Sequence, residues 1–191
     1  MGYLRSVPAI AALALLLAGS PSRAQEQPRL VPMRDVDITY KITRLHQPTV
    51  IERVRWSAAE HLERVDGPAK STSIFDRNRG EITILNGASR TYRRLEGAPR
   101  WPIEPEPDAV FKRGGEAVVA GLHCTEWSWT EDAGTHTLCG TADGVLLRLV
   151  IEGKTAVEAR SVSFYHQPPK LFEVPSHYTP ALAPEGGPGR D

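Results

Sequence analysis

Cysteine is scarce in this chain: two residues in 191, Cys124 and Cys139. In an exported protein, two thiols read first as one disulfide. Charge of one sign is lacking too, with 23 Lys and Arg against 23 Asp and Glu. Without a basic surplus or a polybasic run, nothing argues for nucleic acid or for an anionic lipid surface as partner. Beyond the N-terminus there is no candidate transmembrane segment and no sustained helical periodicity. Catalytic signatures are missing as well. There is no G-x-S-x-G elbow, no S-x-x-K, no dinucleotide fingerprint and no phosphate-cradling glycine loop. No cofactor is expected, and no enzyme.

What is present begins with an address. Arg5 precedes the apolar run Val7–Gly19, which is short for a bilayer span, and Ser22-Arg23-Ala24 supplies a small-x-small cleavage site. Residues 1–24 are predicted to be a signal peptide, with an uncleaved anchor as the alternative. Ser20 stands where a lipidated cysteine would be needed in a lipoprotein signal, which favours a soluble periplasmic or secreted product. Arg5 and Arg23 leave with the signal, so 21 basic residues face 23 acidic ones, about −2.

The mature chain is punctuated as short strands. Residues 25–34 form a polar, proline-bearing lead-in expected to be loose. In Asp35–Thr43, Val36, Ile38, Tyr40 and Ile42 alternate with Asp35, Asp37, Thr39 and Lys41, the period of a half-buried strand. Further runs follow at Thr49–Trp56, His61–Asp66, Thr72–Asp76, Glu81–Leu85 and Arg90–Leu95, the last a strand or the start of a helix. Gly80 and Asn86-Gly87 mark reversals between them. Gly97–Asp108 is too proline-dense for helix interior or central strand, and reads as a cover loop, with one helical turn near Ala109–Lys112. Gly114-Gly115 reads as a turn. Val145–Ile151 and Ala156–Tyr165 are the last strands, Leu171–Tyr178 packs back, and 179–191 is a tail expected to be disordered. The fold class is all-β or β-dominated, with residues 35–178 as one domain.

Cys124 and Cys139 sit on either side of the polar reversal Thr130–Gly134. If they are directly opposed, paired residue numbers sum to 263, and the fold-back falls between Glu131 and Asp132. Turn chemistry asks for a reversal at the same place. A disulfide-stapled hairpin is therefore expected, pairing Thr125 with Leu138 and Trp127 with His136. Trp127 and Trp129, two apart, share a face with Thr125 and His136. That face either packs against the core under the loop carrying Trp101, or lines an apolar ligand cavity. Trp127, Trp129, His136 and Trp101 are the candidate cavity residues. A zinc set of His123, Cys124, His136 and Cys139 is disfavoured, because adjacent His123 and Cys124 point to opposite faces. Glu104–Asp108 reads as a solvated acidic linker. A hydrolase or metal enzyme would need His123, His136 or His166 to meet a carboxylate in a cleft.

Arg34–Tyr40, the hairpin from Ile74 to Tyr92, Ala120–Trp127 with Cys139–Gly144, and Leu171–Tyr178 together resemble uncharacterised secreted proteobacterial proteins related to the LolA/LolB-like lipoprotein carriers. The resemblance implies a strongly curved antiparallel sheet, an incomplete barrel whose apolar concave face receives acyl chains under a cover. The cover here is short and proline-rich where carriers have helices. Two expectations follow. One is a periplasmic carrier-like protein holding a lipid or another apolar or amphipathic molecule in the concavity. The other is an envelope module that meets a partner protein through a strand edge or the proline loop.

Overall fold

In a computed structural model, residues 26–44, 46–97, 105–131 and 134–181 are described. The expected signal peptide, Trp101, Asp132-Ala133 and residues 182–191 lie outside them. Twelve strands occur among the described residues. They are β1 (Val36–Ile42), β2 (Val50–Ser57), β3 (Leu62–Asp66), β4 (Ser71–Asp76), β5 (Glu81–Asn86), β6 (Thr91–Glu96), β7 (Lys112–Val119), β8 (Leu122–Glu131), β9 (Gly134–Gly140), β10 (Leu146–Ile151), β11 (Lys154–Ser163) and β12 (Thr179–Pro180). They form one sheet in the order β12-β6-β5-β4-β3-β2-β1-β11-β10-β9-β8-β7. Every pairing is antiparallel except β12 on β6. The sheet is curved and unclosed, a β-dominated half-barrel.

Alternation explains the core. Because successive side chains in a strand point to opposite faces, registered partners trace rows across the sheet. One row runs Val36, Trp56, Glu63, Phe75, Ile82, Leu95 from β1 to β6. Another on the same face runs Ile42, Val157, Leu149, Leu138, Trp127 from β1 to β8. Both rows feed one cluster of buried side chains. The sheet curls around this face, since Tyr40 Oη on β1 reaches past β11 to donate to Leu146 O on β10 at 2.6 Å. Each fully buried aliphatic or aromatic side chain here contributes about 1.5–3 kcal/mol.

Several expectations need correction. The lead-in is tied down: Met33 N donates to Asp143 O at 2.9 Å, Trp56 Nε1 donates to Pro32 O at 2.9 Å, and Arg34 pairs with Asp143. It crosses Gly144 so closely that an added Cβ there would overlap Val31 O, at φ +91°. Of the two alternatives for Arg90–Leu95 the chain takes the expected strand. Gly114-Gly115 is no turn but a bulge inside β7, since Arg113 opposes Trp127 and Glu116 opposes Thr125, leaving both glycines facing Glu126. Ala109 closes a single hydrogen-bonded turn onto Glu106 O instead of starting a helix. The tail is structured as far as it is described, for Thr179–Pro180 pairs with β6. Before it, Leu171–Tyr178 lies on the outer face, where Phe172, Leu171, Val174 and Tyr178 join Ile74 and Leu85 in a second cluster.

Candidate functional site

The β8–β9 hairpin carries Cys124–Cys139 as a disulfide with Cα atoms 5.3 Å apart. Its register differs from the arithmetic above. Trp129 opposes His136, Trp127 opposes Leu138 and Glu126 opposes Cys139, so paired numbers sum to 265. The cysteines are diagonal rather than directly opposed, which a bridge tolerates when Cα atoms lie within about 4.4–6.8 Å. A shift of two residues in the sum preserves which side chains share a face. Trp127, Trp129 and His136 therefore stand together on the inner face, as expected, with the sulfurs on the other.

Trp129 is the hub of that hairpin, at 3% exposure. Its ring stacks on His136 at 5.0 Å and tilts against Phe111 at 5.5 Å. Its Nε1 donates to Glu131 Oε1 at 2.9 Å, and the same oxygen accepts from Glu106 N at 3.0 Å. The described end of the proline-rich loop is thus clamped to the hairpin. His136 is buried, neither ring nitrogen has a hydrogen-bond partner, and Glu131 Oε2 lies 4.0 Å away. Beside this hub, Glu106, Asp108, Val110, Lys112 and Glu131 border an open groove of about 860 Å3 that reaches the Trp129 edge.

Among the described residues, the pocket on the inner face of the sheet measures about 50 Å3 and lies under Leu30, Val31 and Pro32, against Tyr40, Trp56 and Glu63. A water needs roughly 10–15 Å3 of such space, so the pocket suits a few waters and no acyl chain. Trp127, Trp129 and His136 do not line it. Glu63 is the notable polar wall, with Arg77 Nη2 2.7 Å away and the Arg77 guanidinium 5.7 Å over the Trp56 ring. Burial pushes the Glu63 carboxyl above its usual range despite the pull of Arg77. Sequence reasoning missed this pair. Glu63 faces inward only because β3 registers with β2, and Arg77 arrives from the β4–β5 turn.

On the outer face, Asp37 is nearly as buried as its apolar neighbours in β1. Arg53 Nε donates to Oδ1 at 2.9 Å, Arg53 Nη2 donates to Oδ2 at 2.5 Å, and the Tyr165 hydroxyl donates to Oδ2. Burial alone would raise this carboxyl, but the bonds from Arg53 and Tyr165 overcome it and hold it below the usual range. A carboxylate held low in the fold contributes stability that is complete above its unfolded pKa, about 3.9, and is lost as pH falls through the folded value. The gap in melting temperature between wild type and Asp37→Asn is therefore expected to close as pH drops from about 5 toward about 2. A gap that stays constant over that range would contradict the assignment.

His123, His136 and His166 lie apart rather than converging on one carboxylate. His136 sits beside Glu131 inside the hairpin, His166 Nδ1 lies 3.2 Å from Asp35 Oδ2 at the surface, and His123 opposes Val118 at the far end of β8. Among the described residues no three His, Cys, Asp or Glu side chains are grouped to hold a metal ion.

No protein-family profile matches the sequence, and no curated protein matches it. Solved structures do. An uncharacterized conserved protein from Thermus thermophilus superposes with a TM-score of 0.57 at 12% identity, covering 77% of this chain and 90% of that one. MucB superposes with a TM-score of 0.55 at 14% identity over 76% of this chain and 59% of that one. The Pseudomonas aeruginosa MucA/MucB complex gives 0.55 at 13% identity, over 81% and 61%. The likeness is one of fold alone. It supports a LolA-like fold at most. This chain spans about three fifths of the MucB chains it matches. Among the described residues no helix is long and apolar enough to cross a membrane.

Proposed function

We propose that this chain is an exported, non-enzymatic protein-binding module that takes up an extended segment of a partner along an open edge of its half-barrel. One observation carries the reading: among the described residues, the inner pocket has room for only a few waters, while β6 beyond Tyr92 has no strand partner on its outer side. An unpaired edge presents backbone donors and acceptors that another strand can satisfy. Support also comes from the single disulfide, which fits an oxidising compartment, and from the signal-like N-terminus. The likeness to MucB, a protein crystallised with MucA, and the resemblance to secreted proteobacterial proteins point the same way.

The carrier reading, with a lipid or other apolar molecule in the hollow, has less room. It requires Leu30–Pro32 to lift from Trp56 before more than a few waters fit. Native mass spectrometry and cross-linking of the protein isolated from the cell envelope separate the two. The expected result is a bare protein mass and one cross-linked protein partner. A stoichiometric lipid adduct would overturn the proposal in favour of the carrier.

A further inference from the structure

The two edges of the sheet are not equivalent. At β7, the Gly114-Gly115 bulge interrupts the ladder, and the strand comes back into contact with β11. Bulges of this kind are how natural sheets discourage edge pairing. At β6 the ladder with β5 is regular from Asn86↔Thr91 to Glu81↔Glu96. This edge already accepts a strand, for Thr179 N donates to Arg90 O at 3.0 Å and Ala181 N donates to Tyr92 O at 2.7 Å. That self-pairing covers only Thr91 and Tyr92. Backbone polarity alternates along a strand, so Arg94 and Glu96, two and four residues past Tyr92, turn their N–H and C=O groups to the same open side.

The covering strand is lightly held. Both β12 residues are exposed, whereas the segment just before it is anchored through Phe172 and Tyr178 in the outer cluster. The edge also has a charge preference. Arg90, Arg93 and Arg94 are exposed with Glu96 as the sole acid on β6, and Leu95 stays 40% exposed beside them.

We propose that β6 is the docking edge, that Thr179–Ala181 is an intramolecular stand-in for the partner, and that the partner is an extended acidic segment. This rests on the protein-binding reading above. The partner strand replaces β12 and continues along Thr91–Glu96, placing carboxylates against Arg94 on one face and apolar side chains against Leu95 on the other.

The test uses a fluorescein-labelled peptide of alternating valine and glutamate, its valine–lysine counterpart, and fluorescence anisotropy. Ending the mature chain at Tyr178 is expected to tighten binding of the glutamate peptide about tenfold, the equivalent of roughly two modest hydrogen bonds no longer in competition. Reversing charge with Arg94→Glu is expected to abolish it, at an unchanged melting temperature. Equal affinity for both peptides, no gain on truncation, or no binding to the truncated chain would each overturn the proposal. The envelope cross-linking distinguishes its failure from that of the broader reading. A partner retained after charge reversal leaves the module standing with a different docking surface, whereas no protein partner at all removes both.

Discussion

Trp129→Ala is expected to destabilise the protein by about 3–5 kcal/mol, the range for deleting a large aromatic side chain from a packed core. Three losses coincide at this position. The indole fills space between Phe111 and His136, and its removal leaves a void that β8 and β9 cannot close, being fixed by their neighbours. It also withdraws a donor from Glu131, the carboxylate that secures Glu106 N and hence the segment entering β7. Finally it exposes the flank of His136, whose nitrogens have no hydrogen-bond partner to hold the ring. Urea denaturation followed by far-UV circular dichroism measures the total. Trp129→Phe, which restores much of the ring but not the indole N–H, is expected to recover more than half of the loss. A cost below about 1 kcal/mol for the alanine variant would mean the ring is not part of the core.

Reduction of Cys124–Cys139 comes next in size. Closing a loop of about 15 residues stabilises by roughly 3 kcal/mol in the chain-entropy picture, and the sequence separation here is 15. The bridge lies on the face opposite Trp127 and Trp129, so the inner rows do not depend on it. The expected result is a lower denaturation midpoint with reductant, or in Cys124→Ala with Cys139→Ala, while the circular dichroism of the folded baseline is retained. Wild type and double variant unfolding at the same midpoint would show that the staple contributes nothing. Free thiols at both positions in the protein isolated without reductant would show that it is absent.

Some of this architecture was legible without coordinates, and the reason is local. Side-chain alternation in β1 is a property of seven consecutive residues, so Val36, Ile38, Tyr40 and Ile42 announce a buried face wherever the strand lies. Two thiols flanking a turn announce a hairpin, and a pair of tryptophans two apart must share a side. The β-dominated class and the disulfide follow from such short-range facts. Trp127, Trp129 and His136 share a face for the same reason, and all three are buried in the core, with Trp129 also bordering the groove beside Glu131.

What chain order determined by itself was which residues point the same way. What it left open was which strand lies against which. Register between β8 and β9, the placement of both glycines in a bulge, the inward aim of Glu63 and its meeting with Arg77 depend on neighbours distant in sequence. So does the difference between β6 and β7 as edges. These belong to the tertiary structure, because backbone pairing and burial are settled only when a curved sheet has chosen which strands it leaves unpartnered.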